Sequence, residues 1–237
     1  MFDVAETLSK TSSTIKFQKS NMSNHETSTD LIAALRALGS ATVYEAQGAY
    51  GALDSGIKPI HPSMCVAGPA VTVDTRPGDN LMLHYAMLKV KPGDVLVVDA
   101  KGFLEAGPWG DVFTELALQK GLAGLVIHGA VRDARTIIEQ GFPVFARGLC
   151  IKGTGKNQPG RLNVPITIGD VQIQPGDIVV GDIDGVVVVP QHDVARVVEV
   201  SRAREEKELA FRAKIREGAT TVELLGLEST LRRFDLT

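Results

Sequence analysis

The feature that most constrains the fold of this chain is a set of short, unbroken apolar runs alternating with segments of helical period. Val95-Leu96-Val97-Val98 contains no polar residue before Asp99, the pattern of a strand covered on both faces rather than on one. A strand over residues 66–73 and a helix over 80–90 precede it. A helix over 111–119, a strand over 124–127, a helix over 133–140 and a strand over 144–146 follow. This alternation predicts βαβ units around a partly parallel sheet, an α/β fold. Upstream, Leu31, Ile32, Leu35 and Leu38 share one helical face behind Thr29 and Asp30, and Gly39 stops the run. A second short helix over 42–47 leads into an ordered loop over 48–62.

The pattern changes in the later part of the chain. Residues 164–168, 171–173, 178–180 and 186–189 are strand-like and separated by hairpin-length turns, which predicts sheets of mixed strand direction. Pro-Gly-Asp occurs at 77–79, 92–94 and 175–177, each time as turn chemistry that introduces a new element. A long charged helix over 192–216 has Val194, Val197 and Val198 apolar only at its start, so most of it projects into solvent or toward a partner. Residues 1–24 are rich in Ser, Thr and Lys and lack Arg; they read as a flexible N-terminal extension. Residues 25–237 then form a single domain, with its C-terminal helix beginning at about 191.

Charge and composition narrow the function classes. Lys+Arg 25 against Asp+Glu 28 gives a net charge of −3, dispersed along the chain, where a nucleic-acid binder gathers a basic face. No window reaches the ~18 apolar residues of a membrane span. Cys65 and Cys150 stand outside any Cys or His array, which argues against a disulfide framework or a zinc site and predicts a reduced, cytoplasmic setting.

Two stretches carry candidate chemistry. In Gly107-Pro108-Trp109-Gly110-Asp111, three backbone-adapting residues lead to an acid that opens an amphipathic helix. The amides near Asp111, Val112 and Phe113 form a seat for a small carboxylate at that helix start, although this stretch taken alone reads first as a simple N-cap at Asp111. Gly129-Ala130-Val131-Arg132-Asp133 follows a buried strand, where open α/β sheets bind ligands. Arg132 could donate to a ketone or enolate oxygen, and Asp133 could bind a hydrated divalent cation. Other features read as structural. Gly148 and Gly153 have P-loop spacing, but Thr154 stands where the phosphate lysine is needed, and 153–160 reads as a mobile loop. His128, at a strand end beside the proposed site, and His84, on a helix, read as structural histidines; Asp182 and Asp184 read as turn residues.

Gly110-Asp111 and Arg132-Asp133, with twenty residues between Asp111 and Arg132, resemble the class II pyruvate aldolases. These are the enzymes related to 4-hydroxy-4-methyl-2-oxoglutarate/4-carboxy-4-hydroxy-2-oxoadipate aldolase, in the superfamily of the regulator of ribonuclease E activity A. The resemblance covers roughly Asp30 to Leu225, including Ala41-Thr42-Val43-Tyr44-Glu45-Ala46, Ala67-Gly68-Pro69-Ala70-Val71-Thr72-Val73 and Gly181-Asp182-Ile183-Asp184-Gly185-Val186. It implies a swivelling β/β/α fold, a homo-oligomer (trimer or hexamer) with its site at a subunit interface, and Mg²⁺ or Mn²⁺ as cofactor. It implies Asp133 as metal ligand, Arg132 as the group that stabilises a pyruvate enolate, and Asp111 as the group that activates a water as base. Gly110, Val112 and Phe113 would present backbone to the oxo-acid substrate, and a glutamate from the neighbouring subunit's C-terminal helix, Glu208 or in another register Glu205, would complete the site. The activities implied are retro-aldol cleavage and oxaloacetate decarboxylation. The rival implied by the same superfamily is a non-enzymatic protein-binding regulator, in which an amide replaces the acid found here at Asp133. Methyl transfer to a menaquinone precursor lacks a glycine-rich cofactor fingerprint in this sequence.

Overall fold

A computed structural model describes residues 27–236; the extension expected over residues 1–24 lies outside them. Two helices come first, α1 (Thr27–Leu38) and α2 (Ser40–Ala46). The α/β core then runs β1 (Lys58–Pro59), β2 (Val66–Asp74), α3 (Leu81–Ala86), β3 (Val95–Phe103), α4 (Asp111–Gln119), β4 (Gly124–Val131), α5 (Ala134–Gln140) and β5 (Val144–Leu149). Short strands β6 (Arg161–Leu162), β7 (Ile166–Ile168) and β8 (Val171–Ile173) precede β9 (Ile178–Asp182) and β10 (Gly185–Val189). The chain closes with α6 (Val194–Arg216), α7 (Thr221–Leu225) and α8 (Glu228–Arg233).

The main sheet has the order β1-β5-β4-β3-β2-β9-β10. Strands β2 to β5 are parallel neighbours, and β1, β6 and β9 pair antiparallel to them. β7 and β8 form a separate hairpin. The expected mixed α/β architecture is therefore present, including the long C-terminal helix. The alternating side chains of the parallel strands explain the layering. Val71, Val73, Leu96, Val98, Leu125 and Ile127 face one core with Leu83, Phe113 and Ile137 of the helices. Val95, Val97, Val126 and Phe145 face a second core with the β7–β8 hairpin and Val186 and Val188 of β10. Helices α1, α2 and the start of α6 cover the far side of β9 and β10 through Leu35, Val43, Val197 and Val198.

All three Pro-Gly-Asp segments are turns, with Gly78, Gly93 and Gly176 at φ 71°, 88° and 90°. Their acids Asp79, Asp94 and Asp177 accept backbone N–H bonds from Leu81, Lys91 and Gln174 at 2.9, 2.7 and 2.8 Å. Asp182 also works locally, accepting from Asp184 N, and it caps α2 from a distance through Ser40 N at 2.7 Å.

Several boundaries differ from the sequence expectations. The helix expected over 80–90 is helical only to Ala86 and continues as turns. Strands β3 and β4 run past their apolar stretches through a register shift between Val98 and Phe103, where Lys101 adopts φ 60°. The strand expected over 164–168 starts at Ile166. Helices α7 and α8, the former opened by a Thr220/Glu223 capping box, have no counterpart in the sequence expectations. Among the described residues no helix is long and apolar enough to cross a membrane.

Candidate active site

The two sequence stretches meet beyond the carboxyl ends of β3 and β4. Trp109 fixes the first bend: it is fully buried, and its rings lie 5.0 Å from Phe113 and 5.9 Å from Phe142 in stacked geometry. Its indole Nε1 donates to the Thr114 hydroxyl at 2.9 Å, which in turn donates to the Gly110 carbonyl at 3.1 Å. The second bend is tied to the first by its backbone, because Arg132 N donates to the Trp109 carbonyl at 2.9 Å.

This tie brings the acid of one bend against the amides of the other. The Asp133 carboxylate accepts from Asp111 N at 3.4 Å and lies 3.3 Å from Arg132 Nε. Asp133 is the cap residue of α5, yet its side chain caps nothing there and its backbone is left-handed at φ 55°, ψ 32°. Aspartate is among the few residues other than glycine that adopt this conformation readily. Gly110 makes the approach possible, since a side chain there would overlap Asp133 Oδ2.

Asp111 is not the helix cap. Gly110 holds that position without a side chain, and Asp111 is the first helical residue. The Asp111 carboxylate accepts from Val112 N at 2.7 Å. Because Thr114 N to Gly110 O at 3.1 Å is the first bond of the helical ladder, the Asp111, Val112 and Phe113 amides precede it; the first two donate to the Asp133 and Asp111 carboxylates, which leaves the Phe113 amide for an anion.

These groups border a cleft of about 400 Å³. One wall is Gly110, Asp111, Val112, Phe113 and Arg132; the other is Asn80, His84, Thr154 and Lys156. Asn80 joins the walls by donating from Nδ2 to the Pro108 carbonyl at 3.1 Å. His84 packs on Phe113 with ring centroids 4.5 Å apart. Burial, together with the Lys156 ammonium, holds the imidazole below its ordinary pKa, so it is neutral near pH 7.

His84, read from the sequence as structural, packs on Phe113 and also borders the cleft. The loop over 153–160, read from the sequence as mobile, is tied to the segment before α3 by hydrogen bonds to Asp79 and Asn80. Asp79, only 1% exposed, accepts from Asn157 N at 2.9 Å and Gln158 N at 3.1 Å, in addition to Leu81 N. Burial alone would raise the Asp79 pKa, but these three backbone donors hold it below the usual carboxylate range.

His128 keeps its structural reading: it lies 3.4 Å from Asp99, in a polar network with Lys101, Asp74 and Arg161 outside the cleft. Glu208 does not border the cleft of its own protomer. It pairs with Arg204 at 3.1 Å and Arg212 at 2.9 Å on α6, and Arg204 also pairs with Glu45. Glu205 is exposed on the same helix.

Among the described residues no three His, Cys, Asp or Glu side chains converge as a preformed metal cage. The exposed Asp133 carboxylate stands 3.4 Å from the Asp111 backbone N, and one or two carboxylates with water and ligand oxygens is the donor set that suits Mg²⁺ or Mn²⁺ rather than zinc. The residues present therefore fit a hydrated hard cation.

A family model described as RraA-like, Aldolase/RraA, matches residues 40–188. A provisionally named 4-hydroxy-4-methyl-2-oxoglutarate aldolase of Halalkalibacterium halodurans is 36% identical over 204 residues, spanning 86% of this chain and 95% of that protein. The crystal structure of an uncharacterized protein from Pseudomonas syringae pv. tomato superposes with a TM-score of 0.76 at 33% identity, covering 83% of this chain and 93% of the other. Streptomyces coelicolor RraAS2, described as an unusual member of the RNase ES inhibitor RraA protein family, gives a TM-score of 0.69 at 31% identity, covering 78% and 98%.

Proposed function

The chain belongs to the RraA-like, Aldolase/RraA family, and from that premise we propose that it is a divalent-metal-dependent carbon–carbon lyase acting on short 4-hydroxy-2-oxo acids. Its substrates are 4-hydroxy-4-methyl-2-oxoglutarate or 4-carboxy-4-hydroxy-2-oxoadipate, cleaved to pyruvate plus pyruvate or oxaloacetate, with oxaloacetate decarboxylation through the same enolate. The observation that carries this reading is the contact of Asp133 with two groups that line one cleft, Asp111 through its backbone N at 3.4 Å and Arg132 through Nε at 3.3 Å.

The chain's own groups divide the work as follows. The Phe113 amide, joined by the Val112 amide when it exchanges Asp111 Oδ1 for the substrate, would hold the C1 carboxylate at a helix start with positive partial charge. The Arg132 guanidinium donates to the C2 oxygen, where negative charge grows as the C3–C4 bond breaks. Asp111, acting through water, takes the proton of the C4 hydroxyl; the bonding pair moves to the pyruvyl fragment, and protonation at C3 completes pyruvate. Asp133, with water, would hold the Mg²⁺ or Mn²⁺, which when bound supplies Lewis-acid polarisation of the keto oxygen. In a trimer or hexamer, Glu208 of α6 would reach the neighbouring protomer's cleft.

The test is pyruvate release from 4-hydroxy-4-methyl-2-oxoglutarate and from oxaloacetate, with and without Mg²⁺. Asp133→Ala should lose both activities, and Arg132→Ala should lose turnover while remaining folded. Decarboxylation that persists in chelator would contradict the mechanism. The likeness to RraAS2 favours a second reading, a non-enzymatic regulator that binds a ribonuclease E-type enzyme. Binding of such an enzyme without turnover of either acid would establish it.

A further inference from the structure

Both bends of the site are launched from strands that lose their register just before reaching it. From the Val98/Ile127 pair to the Phe103/Gly129 pair, β3 advances by five residues while β4 advances by two. β4 also slips against β5, between Ile127 and Ala130. Over this stretch the backbone ladder is interrupted and cannot fix one strand against the other, so side chains must.

The side chains that do so form the polar network outside the cleft. Asp74 and Asp99 are direct neighbours on β2 and β3, and like charges so placed repel. Lys101 relieves this: from its left-handed backbone, φ 60°, its ammonium pairs with both acids, with Asp74 at 2.6 Å. The Asp99 carboxylate, 5% exposed, then joins two strands through one oxygen. Its Oδ1 accepts from Lys101 N at 2.9 Å, inside the irregular stretch of β3, and lies 3.4 Å from His128 Nδ1 on β4. An ionised carboxylate only accepts, so Nδ1 carries the proton of that contact. The far edge of the imidazole closes on Gly102, where a side chain would begin 3.2 Å from His128 Nε2. The ring therefore meets β3 at Asp99 and again at Gly102, on either side of Lys101. Gly107 follows Phe103 by four residues and Arg132 follows His128 by four, so a shift of either strand here is passed on to the bends.

We propose that Asp99 and His128 are positioning residues: their contact across the unpaired stretch of β3 and β4 sets the spacing of the two bends and so holds Arg132 and Asp133 against the Asp111 amide. Asp99 and His128 are not among the residues that border the cleft, so they act through the strands and not on the reacting atoms. The effect of this contact on turnover rests on the lyase reading, whereas its effect on the bends does not.

The experiment compares the full chain with His128→Asn, His128→Gln and His128→Leu. The asparagine amide nitrogen can stand where Nδ1 does, the glutamine nitrogen where Nε2 does, and leucine offers no donor. Two quantities are read: pyruvate release from 4-hydroxy-4-methyl-2-oxoglutarate in Mg²⁺, and hydrogen exchange by NMR of the Arg132 amide, which donates to the Trp109 carbonyl. Exchange is taken relative to the amide of Val126, in the regular part of β4, so that a general loss of stability cancels. His128→Leu and His128→Gln should exchange the Arg132 amide at least about tenfold faster and lower kcat by at least about tenfold. His128→Asn should bring both back to within about threefold of the parent. An asparagine variant as impaired as the leucine one, or parental relative exchange in His128→Leu, overturns the positioning role. The expected exchange pattern in a protein whose parent releases no pyruvate supports the role and removes the lyase reading instead.

Discussion

The Asp133 carboxylate occupies the space in which a side chain on Gly110 would begin, so its place beside the Asp111 amide depends on residue 110 having no side chain. Gly110→Ala should push the Asp133 carboxylate out of its present position. Because displacements near 1 Å cost about 100-fold in well-oriented sites, kcat/KM for pyruvate release should fall by at least about that factor. Gly110 has φ −151°, open to any residue, so thermal unfolding should shift little. A fully active Gly110→Ala would show that the contact has no catalytic bearing.

Asp133→Asn separates charge from backbone conformation. Asparagine tolerates the left-handed conformation as well as aspartate does, and residue 133 is exposed, so stability should stay within about 0.5 kcal/mol of the parent. Turnover should nonetheless disappear. Urea unfolding and steady-state kinetics on one preparation measure both.

The Asp79 anchor predicts a pH dependence with a definite sign. Its pKa is depressed in the folded chain, so its contribution is fully present above the unfolded carboxylate value and is lost as pH falls through the lower, folded value. The urea midpoint of the parent should decline on acidification below about pH 4. Asp79→Asn should be less stable near neutrality and should show a shallower decline; equal slopes would mean that Asp79 is not the linked group.

Trp109 ties packing to the site. Trp109→Ala removes a fully buried side chain and the donor to Thr114, a loss of about 3–5 kcal/mol. The bend it supports holds Arg132 through the Trp109 carbonyl, so any folded fraction should also be catalytically impaired. Parental specific activity in that fraction would show that the bend is set elsewhere.

Glu208 tests the proposed assembly. Within its own protomer it is a surface ion-pair residue, worth about 0–1 kcal/mol, so Glu208→Gln should fold normally. If it serves a neighbour's cleft, Glu208→Gln and Asp133→Asn should each be inactive alone, and co-expressing them should recover part of the activity, because some mixed sites receive both native residues. No recovery would place Glu208 outside the site.

The legible part of this fold was its βαβ core, because strands such as Val95–Val98 are buried on both faces and therefore carry unbroken apolar runs. Asp111 and Arg132-Asp133 stood out for a related reason: both stretches follow such runs. The second wall was opaque. Its loop is glycine-containing and polar, and its anchor Asp79 lies 78 residues before Asn157, so local composition suggested mobility where a distant buried carboxylate imposes order. His84 was undervalued because a histidine on a short helix gives no sign of what it faces; only the tertiary contact with Phe113 places it at the cleft. The substitution of Gly110 for Asp111 as helix cap was equally hidden, since glycine and aspartate both suit that position.

The central claim, that this cleft generates a pyruvate enolate, is tested most directly by the exchange of pyruvate C3 protons for deuterium, followed by NMR with Mg²⁺ in parent, Asp133→Asn and Arg132→Ala. The account predicts exchange in the parent that chelator abolishes, and none above background in either variant. Exchange at the parental rate in Asp133→Asn, or no exchange in the parent with Mg²⁺ present, would contradict it.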